Sequence, residues 1–139
     1  MQDFITANWV MPGLGDAGVH VGQTIDCGWG TFVLSHWHRD RELYSLAEAV
    51  RRITAEPARP PNLDDRVVLA IGMKADISVI NLNKLTERMP EFVYNFPGGS
   101  AGFIQWGKGY RASVCNGTIV LQDGQLLGVR AGQVIRNSV

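Results

Sequence analysis

Between Leu46 and Ile53 the apolar positions Leu46, Ala49, Val50 and Ile53 recur every three or four residues. That spacing gathers side chains on one helical face. Ser45-Leu46-Ala47-Glu48 in front of it is a capping box, with Ser45 as N-cap and Glu48 three residues on. The pattern predicts a helix over 46–55, with Arg51 and Arg52 near the C-terminal end where the helix dipole favours cations. Upstream, Phe32, Leu34 and Trp37 alternate with Ser35, Arg39 and Asp40 in a way that allows a helix over 31–42. Residues 8–11 carry weak strand character. Pro57, Pro60 and Pro61 are expected to end helical structure, since each lacks an N–H and restricts the residue before it.

Beyond residue 62 the period changes. Arg66–Ile71 reads as a strand, Gly72-Met73-Lys74 as a turn and Ala75–Asn81 as a second, largely alternating strand. Arg111–Cys115 and Thr118–Gln122 flank Asn116-Gly117, the dipeptide of a type I′ hairpin turn. Asp123-Gly124 marks the next turn, and Gln133–Arg136 is a candidate last strand. Residues 83–109, with Phe92, Tyr94, Phe96, Phe103 and Trp106 among Pro and Gly, read as a long excursion anchored by aromatics. The expected fold is α+β: a small, mostly antiparallel sheet over 66–136 with one or two helices between 31 and 56. Two parts, 1–62 and 63–139, are expected to form one compact unit.

Length and composition narrow the class. A chain of 139 residues with 45% hydrophobic content suits a single packed domain. Thirteen basic and thirteen acidic residues leave no net charge. No basic stripe exists to track a phosphate backbone, so nucleic acid is excluded as a partner. Met1-Gln2-Asp3-Phe4-Ile5 lacks the basic start and apolar core of a signal peptide. No apolar run reaches the roughly 18–20 residues that span a bilayer. Cys27 and Cys115, far apart, read as reduced thiols. A cytoplasmic protein is expected.

The densest candidate chemistry lies in Gly13-Leu14-Gly15-Asp16-Ala17-Gly18-Val19-His20-Val21-Gly22, which sets one carboxylate and one imidazole among four glycines. Glycine admits close backbone approach and positive φ. Gly15, Gly18 and His20 are therefore candidate pocket residues around Asp16. The same residues also suit a plain loop in which Asp16 bonds its own backbone.

This segment, continued by Asp26 and by Thr31-Phe32-Val33-Leu34-Ser35-His36-Trp37-His38-Arg39-Asp40-Arg41, resembles the N-acyl-D-amino-acid deacylases of the metal-dependent amidohydrolase superfamily. Asp65 through Ile80, with its Gly72-x-x-Ala75-Asp76 core, resembles that superfamily's strand pair. Glu91 through Gly99, Val114 through Gly117 and Gly128 through Arg136 resemble the family's C-terminal segment. The resemblance runs from about residue 11 to 136. Departures are Val67 and Ile71 where Gly and Pro are usual and Val19 where Ala is. Arg59-Pro60-Pro61-Asn62 stands in place of a short family helix, which is expected to be damaged or absent.

The resemblance implies that residues 1–62 correspond to the last strand of a (β/α)8 barrel and the helices after it. It implies that residues 63–139 correspond to half of a flanking β-sandwich. It assigns Asp16 as the general base that activates the hydrolytic water, in a family that uses zinc. The family's zinc ligands, a His-x-His pair, a Cys or modified Lys and two later histidines, have no match in this chain. His36-Trp37-His38 does not replace the pair, because residues two apart lie about 200° apart on a helix. The expectation is a packed His36 beside Trp37 and an exposed His38. Asp16 and His20, with Asp26 or Cys27, form a weaker alternative metal set in the wrong spacing for a closed zinc site. Cys27 has no base locally paired with it to make it a nucleophile. Gly98-Gly99 lacks the Lys of a phosphate loop.

The expected function is thus a fragment of a hydrolase of N-acyl-D-amino acids, inactive by itself and without its own metal. Alternatives are a homo-oligomeric assembly module and a subunit that complements a separately encoded N-terminal barrel chain. A homodimer would bury Ile5, Trp9, Val10, Leu34 and Trp37 on its contact.

Overall fold

The structure, a computed structural model, describes residues 2–13, 15, 22 and 25–136. Its helical part opens with α1 (Gln2–Thr6) and resumes at α2 (Trp29–Phe32). From α2 the chain runs without a break into a π-helical turn set, Val33–Asp40. The helix expected over 31–42 is therefore present, but it winds wider than an α-helix, with Arg41 N–H donating to His36 O at 2.9 Å. Its end is tied down by Arg39, whose Nη1 donates to the carbonyls of Leu82 at 2.9 Å and Leu85 at 2.6 Å.

α3 (Leu46–Ile53) begins as the capping box requires: Glu48 N–H donates to Ser45 Oγ at 3.1 Å. Proline does not stop helical structure at 57. α4 (Ala55–Ala58) holds Pro57 inside its first turn, where no backbone partner waits for the missing N–H. Helix ends only at Arg59-Pro60-Pro61-Asn62, which forms turns with Asn62 at φ 56°.

Eight short strands follow: β1 (Ile77–Ile80), β2 (Thr86–Glu87), β3 (Glu91–Val93), β4 (Gly102–Ile104), β5 (Gly107–Lys108), β6 (Tyr110–Cys115), β7 (Thr118–Gln122) and β8 (Gln125–Leu126). Four of them form an antiparallel sheet in the order β1-β6-β7-β8. Both hairpin turns carry positive φ at each central residue: Asn116 48° and Gly117 80°, then Asp123 45° and Gly124 82°. This is the type I′ geometry that matches strand twist. A register shift between Val79 and Ile80 bends β1 where it meets Tyr110. The 83–109 excursion folds back on itself as two antiparallel ribbons, β2 with β5 and β3 with β4. Phe92 and Phe103 face each other across the second, ring centroids 5.0 Å apart.

Three expected strands do not form among the described residues. Residues 8–11 are turn and coil, because the carbonyl of Val10 is taken by a side chain and Val10 N–H closes onto Ala7 O. Arg66–Ile71 has no strand alongside it. Lys74 N–H closes instead onto Asp65 O at 2.7 Å, and Leu69 and Ile71 stand 83% and 107% exposed. A strand without a partner leaves its backbone groups to water, and the alternation alone does not hold it. Residues 133–136, past the free edge of β8, are coil for the same reason.

The core joins the helices to the start of the sheet. Val33, Leu34, Tyr44, Ala49 and Leu85 are buried together, with Trp29, Trp37, Ile53, Ile80 and Tyr110 packed around them. Thr31 Oγ1 and Tyr110 OH, 2.7 Å apart, pin α2 to β6. Leu34, expected on an intersubunit contact, is 6% exposed and already buried within its own chain. Its amphipathic helix found a face to cover inside the fold.

Candidate functional site

The residues around the glycine-rich segment are organised by one guanidinium. Arg52 sits on the inward side of α3, 1% exposed. An arginine carries five N–H donors, and here five acceptors surround it. Nε donates to Glu48 Oε1 at 2.6 Å. Nη1 donates to the carbonyls of Ile5 at 3.1 Å and Val10 at 2.8 Å. Nη2 donates to those of Thr6 and Ala7, both at 3.2 Å. The guanidinium carbon lies 4.8 Å from the centre of the Tyr44 ring, and Tyr44 OH donates to Ile5 O at 2.6 Å. Burial pushes the Tyr44 phenol up from its ordinary pKa. Hydrogen bonds from Arg51 and Arg52 hold Glu48 down at about 2.

The effect is mechanical. α1 ends with its last carbonyls unpaired, as every helix does, and Arg52 caps them from 45 to 47 residues away. The arm 2–12 is thereby fixed on α3, and it delivers the chain to Gly13 and Gly15. Periodicity flagged Arg52 only as a cation near a helix end. The signal that it is buried, with its donors aimed at α1, is not local to its sequence.

Gly15 packs against Asp26. A Cβ built on Gly15 would lie 2.7 Å from the Asp26 carbonyl oxygen, so only glycine allows this approach. The two residues pinch the base of the segment between them. Asp16, Gly18 and His20, the candidate base and pocket residues, lie outside the described residues, whereas Gly15 borders a cavity of about 360 Å³. One wall of that cavity is the Arg52-held arm, with Ile5, Val10 and Met11. The other is helical and aromatic, with Trp29, Phe32 and Trp37.

The remaining candidates are committed elsewhere. His36 stacks on Phe32, ring centroids 4.6 Å apart. His38, expected to be exposed, is half-buried and its Nδ1 lies 2.9 Å from Tyr44 O, because the wide helical winding turns it back toward the chain. Cys27 Sγ donates to Gln105 Oε1 at 3.8 Å. Cys27 and Cys115 are both free thiols. Nearby Glu87, packed against Gly28, is pushed up from its ordinary pKa by burial. Among the described residues no three His, Cys, Asp or Glu side chains come together as a metal site. Nor is any helix long and apolar enough to cross a membrane.

Sequence and fold point to one class: the chain is similar to the D-aminoacylases, amidohydrolases in which the same helix-and-antiparallel-sheet arrangement occurs. In sequence it is 42% identical over 62 residues to an N-acyl-D-glutamate deacylase of Alcaligenes xylosoxydans xylosoxydans. That match covers 43% of this chain and 13% of the relative. In fold it matches the crystal structure of a D-aminoacylase that defines a novel subset of amidohydrolases, with a TM-score of 0.61 and 25% identity. This match covers 78% of the chain and 21% of that enzyme. A D-aminoacylase mutant in complex with copper chloride and a D-aminoacylase studied for its binuclear metal centre match equally well. No family profile matches the chain. The resemblance read from the motifs thus holds in both sequence and structure, and the chain spans only a minor part of each relative's length.

A metal such as those relatives use does not fit the described residues, whose two neighbouring histidines are turned to Phe32 and Tyr44.

Proposed function

We propose that this chain is the C-terminal portion of an N-acyl-D-amino-acid deacylase-like hydrolase, contributing Asp16 as the proton acceptor for amide hydrolysis and lacking activity by itself. The observation that carries the reading is the agreement of a 42% identical sequence match with a structural match of TM-score 0.61, both to enzymes of D-acylamino acids. The chemistry favours a dependent role. A carboxylate takes a proton from water efficiently when that water is already polarised, and the described residues bring no metal set to do so. The residues of this chain then have a supporting task. Arg52 and Tyr44 hold the arm, and Gly15 packs against Asp26 directly before Asp16 in the chain. A cytoplasmic setting is part of the reading, consistent with two free thiols.

The test is a deacylation assay of the purified 139-residue chain with N-acyl-D-amino acids and added zinc. No turnover is expected. Clear turnover that vanishes in Asp16→Asn would overturn the dependent role while keeping the hydrolase class.

A second reading is favoured by surface chemistry. Trp9 is 79% exposed on the arm, and Leu69 and Ile71 project from a segment with strand-like alternation and no partner. Apolar groups and open strand edges of this kind associate. We propose that they are covered either in a homodimer or by an N-terminal barrel chain supplied separately. Light scattering separates these: a dimeric mass at micromolar concentration supports the first, and a monomer leaves the second.

A further inference from the structure

Arg39, Arg51, Arg52, Arg66 and Arg111 each form an ion pair with an Asp or Glu of this chain. Arg88 and Lys108 do not: among the described residues neither side chain has a carboxylate or a hydrogen-bond partner. Register decides where the two point. β2 pairs with β5 through Thr86 with Lys108 and Glu87 with Gly107, and Arg88 N–H carries the ladder one step on, donating to Trp106 O at 2.8 Å. Alternate residues of a strand take opposite faces. Glu87 and Gly107 share the inward face, where Glu87 packs against Gly28 and a Cβ on Gly107 would lie 2.7 Å from the Tyr110 ring. Arg88, Trp106 and Lys108 share the outward face, away from the ribbon's own carboxylate.

These three side chains border a cavity of about 350 Å³, half open to solvent, bounded also by Tyr110 and the Asp123-Gly124 turn. Asp123, the acid among the described lining, lies 3.3 Å from Arg111 Nη1 and is already balanced. The ribbon is seated firmly. Tyr110 OH is 2.7 Å from Thr31 Oγ1, and a Cβ on Gly109, at φ 92°, would meet the Leu85 backbone at 2.7 Å. We propose that this cavity binds a planar small-molecule anion with two acidic groups, its ring on Trp106 and its acids on Arg88 and Lys108. Arg88 and Lys108 stand diagonally across the ribbon, where positions are roughly 7–8 Å apart, a separation that suits two acids better than one compact charge. The indole face adds stacking with a flat ring. Because the cavity is half open the anion keeps part of its water, so binding is weak and falls with salt. None of these residues borders the cavity beside Gly15, and the site stands apart from the hydrolase reading.

The experiment follows backbone amide shifts of the full nitrogen-15-labelled chain at neutral pH and constant ionic strength. The probes are isophthalate, benzoate, which has one acid, and glutarate, which has two acids and no ring. Isophthalate is expected to give saturable shifts confined to residues 86–88, 106–110 and 123–124. Benzoate is expected to bind roughly two- to fivefold more weakly, the worth of one exposed ion pair, and glutarate about threefold more weakly for want of stacking. Arg88→Gln and Lys108→Gln, both at exposed positions, are each expected to weaken isophthalate roughly two- to fivefold. Arg59→Gln, an exposed cation outside the cavity lining, is expected to change nothing. Absence of saturation, shifts spread over the whole chain, benzoate or glutarate binding as tightly as isophthalate, or indifference to both charge substitutions would overturn the proposal.

Discussion

The guanidinium of Arg52 reaches across 42 residues of chain to the carbonyl oxygen of Val10, 2.8 Å away. That contact is one of five, and together they use every donor the side chain has. The arm offers four backbone carbonyls, and the carboxylate paired with Arg52 is that of Glu48, which Arg51 shares.

Replacing Arg52 with Met keeps the stem and removes the fork. Glu48 and the backbone carbonyls of α1 then lose their buried donor, and truncating one side of such a network costs about 3–5 kcal/mol. Lys supplies three donors on a flexible stem in place of a planar five, so Arg52→Lys is expected to lose about 2 kcal/mol. Urea denaturation measures both. Equal stability of wild type and Arg52→Met would contradict the clamp.

Ser45 is a smaller, cleaner case. Its hydroxyl accepts one N–H at the start of α3, and Ser45→Ala is expected to destabilise by about 1 kcal/mol. A thermal melt checks it.

Acid should loosen the same helix. Glu48 titrates near 4.5 when free of its partners and near 2 in the fold, held there by Arg51 first and Arg52 second. As pH falls, the unfolded chain takes up this proton before the folded one does, so stability drops. The contribution of Glu48 is whole above about pH 4.5 and lost on the way down through about 2. Glu48→Gln should flatten the melting temperature against pH across that window. An unchanged slope would contradict it.

Gly15→Ala asks whether the pinch is real. The added methyl meets the Asp26 carbonyl oxygen at 2.7 Å, and relieving such a clash in packed surroundings costs about 1–3 kcal/mol. Hydrogen exchange should report faster opening around residues 25–29, with α3 unaffected. Gly13→Ala, where a Cβ meets nothing within 4 Å, is the control and should be neutral.

Much of this fold was readable where the determinants are neighbours in the chain. Ser45 and Glu48 sit three apart and cap α3; Asn116-Gly117 and Asp123-Gly124 turn as their positive φ values require. The failures were of another kind. Arg66–Ile71 has the composition of a strand, but pairing is a property of what lies beside it, and no strand among the described residues pairs with it. Pro57 was read as a stop, yet a proline in a first turn offends no hydrogen bond. Arg52 was visible as a cation on a helix; its partners come from a segment 42 to 47 residues earlier, which no periodicity encodes. The general-base role of Asp16, by contrast, came from resemblance alone, and Asp16 lies outside the described residues.

The central proposal is that this chain carries a hydrolase's proton acceptor, Asp16, while its described residues bring no metal set together. Equilibrium dialysis of the purified protein against zinc at neutral pH tests it most directly. The account predicts no stoichiometric zinc after dialysis, with or without Asp16→Asn. One tightly held zinc per chain, lost in Asp16→Asn or His20→Ala, would contradict it.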